Sequence, residues 1–101
     1  MSTTKKFDQF AERKLEELKA KSFEELLGYD GYSFSWSNKG RKADIGVAIE
    51  NIDENEIRVI LQGFLPMKFL SFIKHSFVDG FRKKKDGNVE PVTHEEISYY
   101  D

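Results

Sequence analysis

The residues with the clearest capacity for chemistry are two histidines and the carboxylates beside one of them. His75 stands alone, whereas His94 begins the run His94-Glu95-Glu96, whose three side chains could bind a metal or transfer protons. No cysteine is present to complete a zinc site, and two glutamates in the first turn of a helix are favoured by the helix dipole. We therefore predict that His75 is exposed on a helix, that 94–96 cap a helix, and that there is no metal, cofactor or catalytic residue.

Short motifs of the common enzyme classes are missing from the sequence. It lacks the phosphate-loop pattern GxxxxGK[ST], the dinucleotide pattern GxGxxG, the zinc-protease pattern HExxH and the hydrolase pattern GxSxG. The carboxylate pairs Glu16-Glu17 and Glu24-Glu25 lie in charged helical segments and are interpreted as solvated. The sequence therefore predicts a protein that is not an enzyme.

Basic residues form two groups, one after an aromatic segment and one near residue 80. Residues 66–85 carry six basic and one acidic side chain, while residues 86–101 carry five acidic side chains and no basic one. Either the basic groups bind phosphates, or the acidic tail folds back and neutralises the second group, and we favour the tail. The candidate phosphate-binding residues are Lys39, Arg41, Lys42, Arg82, Lys83, Lys84 and Lys85.

The composition is that of one globular domain covering residues 1–101. Hydrophobic residues make up 39% of the chain and charged residues 34%, with a net charge of −2. The chain is large enough for one core, and no apolar run is long enough to span a membrane. Together with the lack of cysteine, this favours a cytoplasmic protein that does not enter a membrane.

Two helices are predicted at the N-terminus. Apolar residues recur at helical spacing from Phe7 to Leu18, which predicts a helix over about 5–20. Ser22 and Glu25 have the spacing of a capping box and predict a short helix over 23–27. Gly28 then favours a left-handed end to that helix.

Three antiparallel strands are predicted next, over 32–37, 44–51 and 56–65. The turn-forming segments Asn38-Lys39-Gly40 and Asp53-Glu54-Asn55 separate them, and connections this short join antiparallel neighbours. Tyr32, Phe34 and Trp36 share one face of the first strand. They could stack on nucleic-acid bases, but a place in the core beneath the helices is favoured, because all three strands offer one apolar face.

The segment 66–92 allows two interpretations. Residues from Phe69 to Phe81 place an apolar face at helical spacing, which favours a helix over about 66–84. Alternatively, 75–84 and 88–92 form a hairpin around Asp86-Gly87, a strong turn sequence. A second capping box over 93–96 predicts a short final helix through Tyr99. The favoured fold is α+β, with an N-terminal helix or helix pair, a three-stranded antiparallel meander and a C-terminal amphipathic helix packed on one sheet face.

The predicted function is a non-catalytic protein-interaction or regulatory domain that binds another protein or a second copy of itself. Serines and small residues make the second sheet face flat, so that another surface could pack closely against it. The predicted contact residues are Ile60, Phe64, Tyr99 and Tyr100.

The alternative function is nucleic-acid binding through the basic turn 39–42 and the basic run 82–85. The predicted order of a helix, three antiparallel strands and a helix is similar to that of double-stranded-RNA-binding domains. Those domains have a Gly-rich and Lys-rich entry to the last helix, where this sequence has GFLPMKF with the single Lys68. The net charge is also acidic, unlike the usual basic footprint of such domains.

Overall fold

The computed structural model describes residues 2–66 and 74–98, which form three helices and five strands. The strands make one antiparallel sheet in the order β1-β2-β3-β4-β5, so each strand pairs with the next along the chain. The sheet therefore has five strands rather than the predicted three. The elements are α1 (Thr3–Lys19), α2 (Phe23–Leu27), β1 (Ser33–Asn38), β2 (Arg41–Asp53), β3 (Glu56–Pro66), β4 (Lys74–Lys84), β5 (Val89–Pro91) and α3 (His94–Ser98).

The two N-terminal helices follow the predicted pattern. The predicted apolar stripe of α1 is buried from Phe7 to Leu18. In α2, the Ser22 hydroxyl accepts from the Glu25 N–H and the Glu25 carboxylate accepts from the Ser22 N–H, which confirms the capping box. Gly28 has φ −81°, so the predicted left-handed end is wrong. None of the helices in the described part of the chain is long and apolar enough to cross a membrane.

Two tight turns connect the first three strands. Lys39 and Gly40 both have positive φ, 52° and 81°, as the two central residues of a type I′ hairpin turn require. This geometry matches the twist of the strands that it joins. The second turn, at Glu54-Asn55, closes on the pair of Asp53 and Glu56. The three predicted strands are thus confirmed, and β2 is longer than expected.

The predicted helix over 66–84 is wrong in the part that the structure describes. Lys74–Lys84 forms β4, which pairs with β3 along its whole length, from Pro66 opposite Lys74 to Glu56 opposite Lys84. The alternative hairpin is the correct interpretation, with Gly87 at φ 101° in its turn. Residues 67–73, which carried much of the predicted helical face, lie outside the described residues.

The two faces of the sheet differ in what covers them. We call the face beneath α1 and α2 the inner face, and the other the outer face. Trp36 is 8% exposed on the inner face, and its ring meets that of Phe7 edge-on at 5.3 Å, which confirms its core position. Phe34 is partly buried against the same core, whereas Tyr32 is 50% exposed, so its predicted burial is wrong. Tyr32 precedes β1 at the margin of the sheet, where its ring contacts Tyr29.

Candidate interaction surface

A row of four charged residues, with two arginines between two glutamates, crosses the outer face over four strands. Glu50 lies opposite Arg58, Arg58 lies opposite Arg82, and Arg82 lies opposite Glu90. The central pair places two positive charges side by side, which is unfavourable unless anions flank them. The outer glutamates supply that charge, with Glu50 Oε2 2.8 Å from Arg58 Nη1 and Glu90 Oε2 3.5 Å from Arg82 Nη2. We call these four residues the charged row.

The helix α3 adds a third carboxylate between the two arginines. Glu96 Oε2 accepts from Arg58 Nε at 2.6 Å, and Glu96 Oε1 lies 3.9 Å from Arg82 Nε. Glu96 also completes the predicted capping box, since its carboxylate accepts from the Thr93 N–H and its own N–H donates to the Thr93 hydroxyl. Hydrogen bonds and charge from Glu96 and Glu50 raise the pKa of Arg58, although its burial acts the other way. The charged row therefore holds α3 on the outer face.

Stability should depend on the ionisation of Glu96. The backbone N–H of Thr93 lowers the pKa of Glu96, helped by Arg58 and opposed by desolvation. A carboxyl whose pKa is lower in the folded state stabilises the fold above its unfolded pKa of about 4.3, and this stabilisation is lost as the pH falls through the folded value. We expect Glu96→Gln to lower the melting temperature by a few degrees at neutral pH, and the difference from wild type to shrink below about pH 4.

Thermal melts at neutral pH and at about pH 3 measure this dependence. Glu95→Gln is the matched control, because Glu95 is an exposed neighbour in the same helical turn. Equal melting temperatures for wild type and Glu96→Gln at neutral pH would show that the link between Glu96 and the arginines does not stabilise α3.

The basic run 82–85 is divided between the two faces of the sheet. Arg82 belongs to the charged row, and Lys84 Nζ lies 3.0 Å from Glu90, whose hydrogen bond and charge raise the Lys84 pKa. Lys83 points to the inner face, where it is buried and donates to the carbonyl of Lys19 at the end of α1. Lys85 is exposed. The predicted neutralisation by the tail is therefore confirmed for the carboxylates of Glu90 and Glu96.

The basic turn between β1 and β2 is partly engaged as well. Arg41 Nη2 donates to the carbonyl of Pro66 at the far end of β3, which directs this side chain toward the backbone of the chain itself. Lys39 and Lys42 are exposed. The turn lies at one end of β1, next to the margin of the sheet.

The free margin of the sheet is the backbone of β1. This strand pairs with β2, and no other strand in residues 2–66 and 74–98 pairs with it. In an antiparallel ladder every second residue directs both its N–H and its C=O to the neighbouring strand. The hydrogen bond from the Val47 N–H to the Tyr32 carbonyl, 2.8 Å long, indicates that even-numbered residues bond to β2. The β1 edge therefore consists of the outward backbone groups of Ser33, Ser35 and Ser37.

The β1 edge lacks the usual protections of an edge strand. Natural edges are commonly blunted by charged residues, proline, bulges or very short strands. The opposite margin has these features, because β5 is only three residues long and contains Glu90 and Pro91. In contrast, β1 is six residues long, reads SFSWSN, and has no charged residue and no proline. The β5 strand thus carries protective features that β1 lacks.

Different side chains flank the β1 edge on its two sides. On the inner side, the Tyr32 ring meets those of Tyr29 and Phe34 edge-on, at 5.2 Å and 5.0 Å. On the outer side is a shallow hollow of about 240 Å³, whose lining includes the small residues Gly46 and Ala48. An extended segment paired with β1 would place alternate side chains along the aromatic side and the small-residue side.

The predicted contact residues lie in three different situations. Phe64 is 42% exposed on the outer face, with Lys74 Nζ 5.8 Å from the centre of its ring. Ile60 lies on the same face but is fully buried, contrary to the exposure that its predicted role requires. Tyr99 and Tyr100 lie outside the described residues. The structure thus leaves Phe64 as the exposed member of this group among the described residues.

The two histidines do not come together. His75 lies on β4, so its predicted place on a helix is wrong, and its Nε2 is 2.8 Å from Asp8 Oδ1 of α1. The sequence offers no signal for this pair, since 67 positions separate the two residues. His94 begins α3 and is exposed. In the part of the chain described, no three His, Cys, Asp or Glu side chains group as a metal site would require.

Comparison with known proteins does not assign this chain to a family. No family model, no curated protein and no solved structure matches it. Its function is therefore inferred from the charged row, the β1 edge and the side chains that flank that edge.

Proposed function

We propose that the protein is a non-catalytic protein-interaction domain that binds an extended segment of its partner along the β1 edge. The observation that carries this proposal is the contrast between the two margins of the sheet. One margin ends in a three-residue strand with Pro91, whereas the other offers six residues without charge or proline. Backbone pairing at such an edge supplies affinity, and the flanking side chains supply specificity.

The flanks of β1 support a partner segment with alternating side chains. Aromatic or aliphatic residues fit the inner side, where Tyr32 is half exposed beside Phe34. Residues on the other side of the segment meet the exposed serines of β1 and the hollow over Gly46 and Ala48. A partner segment with large apolar residues at every second position therefore fits this edge better than a uniformly charged one.

The charge distribution gives the nucleic-acid alternative less support. Arg82 and Lys84 already have carboxylate partners, and Lys83 donates to a helix carbonyl on the opposite face. Phosphate binding relies on Lys and Arg side chains that face the nucleic acid together. Binding to protein through the backbone of β1 needs none of these side chains.

A proline in the middle of β1 tests the proposed function. In Ser35→Pro the outward N–H is replaced by a ring, so the edge can no longer donate there, while the bonds from β1 to β2 are kept. Ser35→Ala is the matched control, because it removes the same hydroxyl, which donates to Asp44, but retains the N–H. We expect partners captured from an extract of the source organism by wild type and Ser35→Ala to be absent with Ser35→Pro.

The identified partner is then mixed with the purified protein, and hydrogen exchange is measured. Slower exchange at residues 33, 35 and 37 is expected in the complex, since these N–H groups become hydrogen-bonded. Capture of every partner by Ser35→Pro at wild-type levels would place the binding surface elsewhere.

A further inference from the structure

The geometry points to a second copy of this chain as the segment that pairs with β1. We propose a symmetric dimer in which the two β1 strands run antiparallel, with Ser35 of one copy opposite Ser35 of the other, giving one continuous ten-stranded sheet. This inference rests on the proposed function and names its partner. The evidence is the sequence of β1, the charges at its two ends and the position of α1.

The sequence of β1 is self-complementary in this register. Pairing Ser35 with its own copy places Ser33 opposite the second copy's Ser37, so serines face serines at all three outward backbone positions. Phe34 then lies opposite the second copy's Trp36 on the inner face, and cross-strand aromatic pairs of this kind stabilise sheets. A shift by two residues in either direction would leave one outward serine at each end without a β1 partner. The proposed register therefore pairs every outward group of the strand.

The charges at the two ends of β1 are complementary in the same register. Lys39 follows the strand in an exposed turn, and Asp30 precedes it in another exposed turn. Antiparallel pairing about Ser35 brings Lys39 opposite the second copy's Gly31, directly beside the second copy's Asp30. Symmetry repeats this contact at the other end. The Asp30 side chain is already held in place, because its Oδ1 accepts from the Ile49 N–H at 3.0 Å.

The helix α1 packs on the inner face of the sheet, above the side chains of β1. The symmetry axis of such a dimer is perpendicular to the sheet, so both copies of α1 lie on the same face. In each copy α1 follows β4, with Asp8 bonded to His75 and the Lys19 carbonyl bonded to Lys83. On this side Lys14 lies above the Phe34 ring, and its charge is neutralised by Glu17 at 3.1 Å. The contacts of α1 with β1 are made to inner-face side chains, since Phe7 packs against Trp36. The proposed pairing uses instead the outward backbone groups of β1, which lie in the plane of the sheet.

Sedimentation of the full-length protein over a wide concentration range tests the dimer directly. The expected mass is twice that of the 11.8 kDa chain at high concentration. Among the described residues, β1 is the edge strand without charge or proline, and a symmetric pair uses it in both copies, so pairing closes at two copies and no larger species is expected. Ser35→Pro should weaken the dimer at least about tenfold by removing the two central N–H donors, whereas Ser35→Ala should not.

Single cysteines test the register, since the natural chain has none. Residue 35 meets its own copy at about 5.5 Å between Cα atoms, so a short bis-maleimide should cross-link Ser35→Cys rapidly. Ser33→Cys and Ser37→Cys should each cross-link poorly alone, because four residues of strand, about 14 Å, separate the two copies of either thiol. A mixture of Ser33→Cys and Ser37→Cys should cross-link well.

The proposal is overturned by a monomer at every concentration, by species larger than a dimer, or by equal cross-linking of the three cysteine variants. A monomeric protein would contradict the dimer but not the proposed function, which is tested by the capture of other proteins with wild type and Ser35→Ala. Loss of that capture with Ser35→Pro would then identify a heterologous partner for the same edge. Conversely, a dimer of the predicted register that captures no other protein would make self-association the sole use of this edge.

Discussion

Replacing Gly80 with alanine is expected to destabilise the protein by about 2–3 kcal/mol, the upper part of the range of about 1–3 kcal/mol that is typical of an overpacked interior. Gly80 lies on β4 opposite Ile60, and an added methyl group would overlap the carbonyl oxygen of Val59 and approach Ile60 Cδ1 to 2.7 Å. The first of these neighbours is backbone, which cannot move without disturbing the pairing of β3 and β4. Both contacts lie within the pairing of β3 with β4, the longest pairing in the described sheet.

Gly46→Ala is the matched control for this substitution. Gly46 is also a strand glycine of the outer face, but its nearest neighbour would be the Gln62 carbonyl at an ordinary 3.8 Å. Alanine also has the lower backbone entropy in the unfolded chain, so this variant should be neutral or slightly more stable. Denaturant unfolding of both variants measures the difference. Equal free energies of unfolding would mean that the contact between Gly80 and β3 is looser than the structure indicates.

Gly80 also shows why the sequence favours the wrong element over 74–84. Phe77 and Phe81 are four residues apart, a spacing that puts them on one face of a helix and equally on one face of a strand. A glycine inside a helix costs only about 1 kcal/mol relative to alanine, which is too little to exclude a helix with a complete apolar face. The segment forms a strand because it pairs with β3. The residues of β3 lie about twenty positions earlier in the chain, so the local pattern of apolar residues carries no information about this pairing.

The elements that were predicted correctly have signals that exclude the alternative. Ile45, Val47 and Ile49 alternate with small or charged residues, a pattern that a helix cannot bury on one face. The capping box at Ser22 and the hairpin turn at Lys39-Gly40 are determined by neighbours within a few residues. Such local features are readable from sequence because few long-range contacts compete with them.

The candidate surface was less accessible to prediction because it depends on strand order and pairing. The serines of β1 could be assigned to the outer face by alternation, but the openness of their backbone follows from β1 being at the margin. The charged row likewise requires β3 beside β4, which brings Arg58 opposite Arg82. With 74–84 interpreted as a helix, the acidic tail could be assigned to the basic run only as a whole, and the pairing of Arg82 with Glu90 and the place of Arg58 beside it could not be predicted.

Trp36→Ala is expected to have the largest effect, a loss of about 3–5 kcal/mol, which is typical when a buried aromatic side chain is truncated. The indole is 8% exposed and makes an edge-on contact with the fully buried Phe7, so its removal leaves a cavity between α1 and the sheet. In a domain of 101 residues this corresponds to a fall in melting temperature of at least about 12 °C.

The same substitution decides between a core residue and a base-stacking platform. Tyr32→Ala is the matched control, since Tyr32 shares the inner face with Trp36 but is half exposed, and its loss should change the melting temperature only slightly. Because Trp36 is the single tryptophan, its emission should be blue-shifted and protected from iodide in the wild type. If Trp36→Ala were as stable as wild type, and if the wild-type emission were that of a tryptophan in water, Trp36 would not be a core residue. The aromatic face of β1 would then be available for stacking on nucleic-acid bases.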